Sequence, residues 1–256
     1  MKLLTVGNPK IEKGRKYGFL TAILHLAPHK MSGWNVCPKA SVGCSATCLN
    51  TAGRGGMFAG QKTKDMTGSE MVQSILDGNL HNHIQTARIR RTRMLFEQHD
   101  NFFVQLVKEI KSVIKLAKKH DLIPVIRLNG TSDLRWENYN LTVDGVEYRN
   151  IMEVFSSITF YDYTKLKNRR NVPKNYHLTF SRSESNDSDV DSVVQVRFGM
   201  NVAVVFNKLP VFYKGRLVID GDVSDLRFLD SPNVIVGLTA KGKAKKDNSG
   251  FVVGVK

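Results

Sequence analysis

The sequence predicts an α/β fold: a β/α barrel or open part-barrel of mainly parallel strands, with a cysteine loop after the first strand. Three observations carry this expectation. Seven short apolar runs recur along the 256 residues, near-continuous rather than alternating, as suits strands covered on both faces. Segments of helical spacing lie between some of them. Each run ends in polar residues, so chemistry-bearing side chains collect at the C-terminal ends of the strands, where such folds place their sites.

Taken in order, residues 1–16 read as an irregular basic arm and 17–256 as a single domain. Residues 17–26 (YGFLTAILHL) are rich in β-formers and are closed by Pro28, which reads as a buried strand. The loop from Trp34 to Gly56 follows. It holds all three cysteines of the chain, Cys37, Cys44 and Cys48, spaced C-x6-C-x3-C. Pro38, Gly43, Gly53, Gly55 and Gly56 let its backbone turn tightly and come close to a bound group. Converging thiolates repel, so a metal ion or cluster is the natural reading. A closed zinc site wants a fourth ligand, and His25 and His29 are near in sequence, His29 the better placed. An iron–sulfur cluster on three cysteines leaves one iron open. The remaining alternatives are a catalytic or redox thiol, three unrelated buried thiols, or a disulfide with a spare thiol, and the odd count argues against the last.

Residues 67–98 are helical in pattern, opening on a capping box at Thr67 and Glu70 and interrupted around 74–79. The second part carries Arg88, Arg90, Arg91 and Arg93, read either as phosphate contacts or as a solvated face. Residues 101–120 form the clearest helix, with Asp100 as N-cap and a stripe of Phe103, Leu106, Val107, Ile110, Ile114 and Ala117 opposite lysines. Strands are then expected at 123–128, 158–160, 176–180, 202–206, 217–219 and 234–238, with room for helices in 134–156 and 186–199. Their trailing polar residues are Asn129, Thr131, Ser132 and Asp133; Asp162 and Lys165; Ser181, Arg182 and Glu184; Lys208; Asp220 and Asp222; and Lys241 and Lys243. Trp136 and Tyr139 read as core aromatics or as a base-stacking pair. Lys241, Lys243, Lys245 and Lys246 around Gly242 read as a phosphate cradle or a flexible basic loop.

Composition narrows the partners. Lys and Arg number 38 against 23 acids, a net charge of +15, and the excess runs along the whole chain. That points to a polyanion, most simply nucleic acid or a nucleotide. The longest apolar runs are too short to cross a bilayer, and the first residues lack the apolar core of a signal peptide, so a reducing cytoplasm and no membrane partner are expected. The pattern carries no signal for an oligomeric state.

A cysteine triplet after the first strand of a β/α barrel resembles the radical S-adenosylmethionine enzymes. The resemblance implies a 4Fe-4S cluster on Cys37, Cys44 and Cys48, with S-adenosylmethionine on the open iron. Around the cofactor it implies Gly53, Gly55, Asn129, Thr131, Ser132 and Asp133. For positioning substrate or cofactor it implies Asp133, Asp162, Lys165 and Arg182, with Arg88, Arg90, Arg91, Arg93, Lys241 and Lys243 on phosphates. The spacing differs from the C-x3-C-x2-C usual there, and Asn129, Thr131 and Asp133 stand in for the usual partner of the cofactor's ammonium group. Residues 127–133 (RLNGTSD), 160–165 (FYDYTK), 218–222 (VIDGD) and 240–244 (AKGKA) also resemble a widespread group of bacteriophage proteins. Two other readings stand beside this one. One is a zinc-stabilised nucleic-acid-binding protein without catalysis. The other is a divalent-metal nuclease or phosphoryl-transfer enzyme using Asp133, Asp162, Asp220 and Asp222.

Overall fold

In a computed structural model, residues 1–7, 9–51, 55, 70, 73–75, 77, 79, 82–195 and 199–255 are described. The seven expected strands all form and lie in one sheet. They are β2 (Phe19–Leu24), β3 (Ile123–Arg127), β6 (Thr159–Thr164), β7 (Tyr176–Ser181), β8 (Val202–Phe206), β10 (Arg216–Asp220) and β11 (Ile235–Thr239). Short β1 (Leu4–Thr5) and β9 (Phe212–Tyr213) pair antiparallel at the two edges. The nine-stranded order is β1-β2-β3-β6-β7-β8-β11-β10-β9, and every pairing from β2 to β10 is parallel. A separate hairpin joins β4 (Leu141–Val143) and β5 (Val146–Tyr148).

Of the two forms expected, barrel or open part-barrel, the closed one is not found: among the described residues the sheet is open, running from β1 at one edge to β9 at the other. Residues 221–230 instead lie on one face. Leu226 packs there with Val125 and Tyr161, and Asp225 pairs with Arg127 at 2.6 Å. The other face carries the larger core, in which Leu20, Leu24, Ile126 and Phe160 meet the long helix α4 (His99–Lys119). That helix starts at His99, with Gln98 as its N-cap, two residues earlier than the Asp100 cap expected. Its buried stripe adds Phe102 and Val113 to the expected residues.

The expected irregular arm is also corrected. Residues 9–15 form helix α1 (Pro9–Arg15), and Leu3 and Leu4 are fully buried beside β2. Their backbone N–H groups donate to the two carboxylate oxygens of Glu109 at 2.8 and 2.7 Å. A pair of leucines and a distant acceptor make this terminus part of the core. Between the strands run short α2 (Val42–Ala46), α3 (His83–Glu97), α5 (Ile151–Val154) and α6 (Asp189–Gln195). The capping box at Thr67, along with Gly53 and His81, lies outside the described residues. Among the described residues no helix is long and apolar enough to cross a membrane.

Candidate functional site

Because β2, β3, β6 and β7 are parallel neighbours, their C-terminal ends adjoin. The loops leaving those ends carry the cysteines, Asp133, Lys165 and Glu184 respectively. Two contacts show the loops closing together. Asp133 N–H donates to Val36 O at 2.8 Å, and Lys165 N–H donates to Asp133 Oδ2 at 2.8 Å.

The cysteine loop is built by local capping and then clamped from outside. The His29 N–H donates to Cys37 Sγ at 3.3 Å, with His29 at a φ of 53°. Ser41 caps α2 by accepting the Cys44 N–H at 3.1 Å. Glu184 holds the same turn, accepting from Gly43 N–H at 2.8 Å and from Ser41 Oγ at 2.9 Å. After Cys48, Asn50 is buried against α3. Its carbonyl accepts from Gln85 Nε2 and Arg88 Nη1, and its amide donates to Gln85 Oε1. Gly55 is buried, and its carbonyl accepts from Asn82 Nδ2 and Gln85 Nε2.

The three thiols are free, partly buried and electrostatically coupled. Burial pushes Cys37 up to about 12, aided by the nearby Cys48, Asp133 and Cys44. Burial also raises Cys44, which the Lys165 ammonium pulls back, and Cys48, which a backbone hydrogen bond at Asn50 and the charges of Arg88 and Lys165 pull back. Among the described residues no three His, Cys, Asp or Glu side chains are set as a ready cage for a metal ion. Neutral thiols tolerate one another's company; ligation requires them as thiolates and releases their protons.

Asp133 stands beside Cys37 and Cys44. Only one of its oxygens is bonded to the Lys165 N–H; the other, Oδ1, is buried without a hydrogen-bond partner. Burial raises its pKa, against the opposing effects of the Lys165 and Thr164 hydrogen bonds. An orphaned carboxylate oxygen beside two thiols is suited to a cationic group. Lys165 Nζ donates to Ser181 Oγ at 2.9 Å and lies over the Phe251 ring, so its charge is held at the pocket wall.

Other expected site residues serve the fold. The Asn129 side chain knots the turn after β3: Oδ1 accepts from Ser132 Oγ, Leu134 N–H and Trp136 Nε1, while Nδ2 donates to Leu134 O. Thr131 Oγ1 donates to Leu26 O. Asp162 is buried beneath the sheet end, accepting from Asn129 N–H and Tyr176 Oη at 2.8 Å each. Arg182 donates to Asp187 and to the carbonyls of Gly250 and Phe251, pinning the C-terminal tail. Trp136 is fully buried, which makes it core.

The expected arginine row also divides. Arg88 clamps Asn50, and Arg91 donates to the carbonyls of Lys2 and His25. Arg93 pairs with Glu97 at the surface, and Arg90 is exposed. Lys241 pairs with Asp222 at 2.5 Å, while Lys243 is exposed. Of the four aspartates in the divalent-metal reading, Asp133 lies in the thiol pocket and Asp162 is buried. Asp220 and Asp222 share a turn in which Asp220 Oδ1 accepts the Asp222 N–H. Sequence reasoning placed Glu184 at a strand end without a specific role and did not single out Asn82 or Gln85. The local signal is Gln85, a polar residue on the buried helix face of Ile89, Thr92 and Leu95.

No curated protein matches the chain. No solved structure matches it either. The family described as Gene product 88 matches residues 2–254, nearly the whole length, and the chain belongs to this phage-type family.

Proposed function

We propose that this protein is an iron–sulfur enzyme of the radical S-adenosylmethionine type, acting on a nucleic acid or nucleotide. One observation supports the reading: Cys37, Cys44 and Cys48 sit in one loop at the C-terminal edge of a parallel sheet, near enough to feel one another's charge and that of the half-bonded Asp133 carboxylate. Three sulfur donors suit a cubane cluster with one iron left for a second ligand. With cofactor bound, such a cluster supplies radical chemistry by one-electron reduction of the sulfonium.

The chain's own residues do the holding. Glu184 and Ser41 fix the turn that carries Cys44, and Arg88 and Gln85 fix the segment after Cys48. Lys165 offsets the negative charge that ligation would build at Cys44. Asp133 Oδ1 is the acceptor for an ammonium group in the pocket. Arg90 and Lys243 are exposed cations available to phosphates.

The test is metal and sulfide content with an absorption spectrum on protein purified without oxygen. Iron and sulfide at about four each per chain, lost in Cys37→Ser, are expected, with cleavage of S-adenosylmethionine under reducing conditions. One zinc in a colourless protein overturns the reading in favour of a zinc-stabilised nucleic-acid-binding protein.

A further inference from the structure

The cysteine loop exposes apolar side chains where a solvated loop would carry polar ones. Trp34 is 42% exposed, Val42 83% and Leu49 52%. The indole of Trp34 lies flat on Phe96 of α3, with centroids 4.7 Å apart and planes at 10°. Phe96 itself packs against the core, so the stack has a firm base. One indole face is covered, and the remaining exposure leaves the rest of the ring open to solvent.

The surroundings are cationic. Lys30 and Lys39 flank Trp34 in the loop and are exposed. On α3, Arg93 precedes Phe96 by three residues and Arg90 precedes Arg93 by three, so both follow one side of the helix toward the stack. Arg93 is shared with Glu97; Arg90 is exposed. A flat aromatic platform stacked on Phe96, with exposed lysines near it in sequence and an exposed arginine on the supporting helix, on a chain of net charge +15, matches the chemistry that takes unpaired bases and their phosphates.

We infer that Trp34 is a stacking platform for a base of single-stranded nucleic acid, with Lys30, Lys39 and Arg90 tracking its phosphates past the cysteine pocket. This rests on the nucleic-acid part of the function proposed above and on neither the cluster nor the cofactor. A duplex hides its base faces within the stack, so single strands are the substrate class.

The chain has two tryptophans, and Trp136 is fully buried, so Trp34 is the responsive fluorophore. Full-length protein is titrated with oligo(dT) and oligo(U) of about 12 nucleotides and with a duplex of the same length. Saturable quenching by the single strands is expected. Trp34→Ala should weaken binding roughly 5- to 150-fold, the range for one base–aromatic stack, while Trp34→Phe keeps most of it. Arg90→Ala, a surface change that leaves the loop intact, should lower the slope of log affinity against log salt by about 0.7. Binding without quenching, equal affinity in Trp34→Ala, preference for the duplex, or no binding overturns the proposal. Single-strand binding by protein without iron supports it while the cluster reading falls. Iron-loaded protein with no affinity for single strands overturns this proposal alone.

Discussion

Glu184 Oε1 accepts the Gly43 N–H at 2.8 Å, across 141 positions of sequence. Its other oxygen takes the Ser41 hydroxyl, which in turn accepts from the Cys44 N–H. One carboxylate after β7 therefore orients the middle cysteine of a loop that leaves β2. Glu184→Ala strands two donors and should cost about 1–3 kcal/mol. Metal content should fall more than the melting temperature alone explains. Glu184→Gln keeps one accepting oxygen and should fall between. Equal metal content in all three proteins would show that the turn orients itself.

Gly43 sits under the C-terminal tail. A Cβ there would lie 2.0 Å from Ser249 Oγ and 2.7 Å from Phe251 Cβ. Arg182 holds the same tail through the Gly250 and Phe251 carbonyls. Gly43→Ala should therefore lift residues 247–253 and destabilise by about 1–3 kcal/mol, as overpacking does. Hydrogen exchange of that segment is the readout. Adding Ser249→Gly removes the nearest clash but not the contact with Phe251 Cβ, so rescue should be partial.

The α3 arginines should separate by experiment as they do in space. Arg88→Ala unclamps Asn50 and should reduce metal content and stability, with the salt dependence of nucleic-acid binding unchanged. Burial already holds Arg88 down to about 10, a measure of how little it faces solvent. Arg90→Ala should do the reverse. A salt slope that shifts in Arg88→Ala would return that arginine to the phosphate contacts.

Much of this was readable from residue order. Most of the seven apolar runs became parallel strands because their sequences, such as VAVVF at 202–206, bury both faces, whereas β10, next to the edge strand β9, is only half-buried. That the cysteine loop and the loops of Asp133, Lys165 and Glu184 leave the same end of the sheet followed from parallel direction alone. Strand order was not readable: β11 slips between β8 and β10, and nothing local encodes a neighbour. Nor was the openness of the sheet, one face of which residues 221–230 cover through Leu226 and the Arg127–Asp225 pair. The expected site residues whose side chains are taken up by the fold share one feature. Asn129, Asp162, Arg88 and Arg182 are polar groups at strand ends or on a helix, and buried backbone donors and acceptors claimed them first.

Asp162 gives the fold a pH signature. Burial raises its pKa to about 7, against the pull of Arg127 and of the Asn129 and Tyr176 hydrogen bonds. A carboxyl whose folded pKa lies above its unfolded value holds its proton more tightly when folded. Its contribution to stability is therefore full below about pH 4, the unfolded value, and is lost as pH rises through about 7. Asp162→Asn removes this dependence. The amide oxygen can still accept the Asn129 N–H, while the amide nitrogen meets the Leu128 N–H that Oδ2 now accepts, a fixed cost at every pH. The stability difference between wild type and Asp162→Asn, from urea unfolding, should thus shift against wild type as pH rises, by on the order of 1 kcal/mol per unit within that window, and level off above it. A difference that is flat from pH 4 to 8 would mean that Arg127 and the Tyr176 hydroxyl keep the carboxylate ionised throughout, and that the buried network, rather than burial itself, sets its charge.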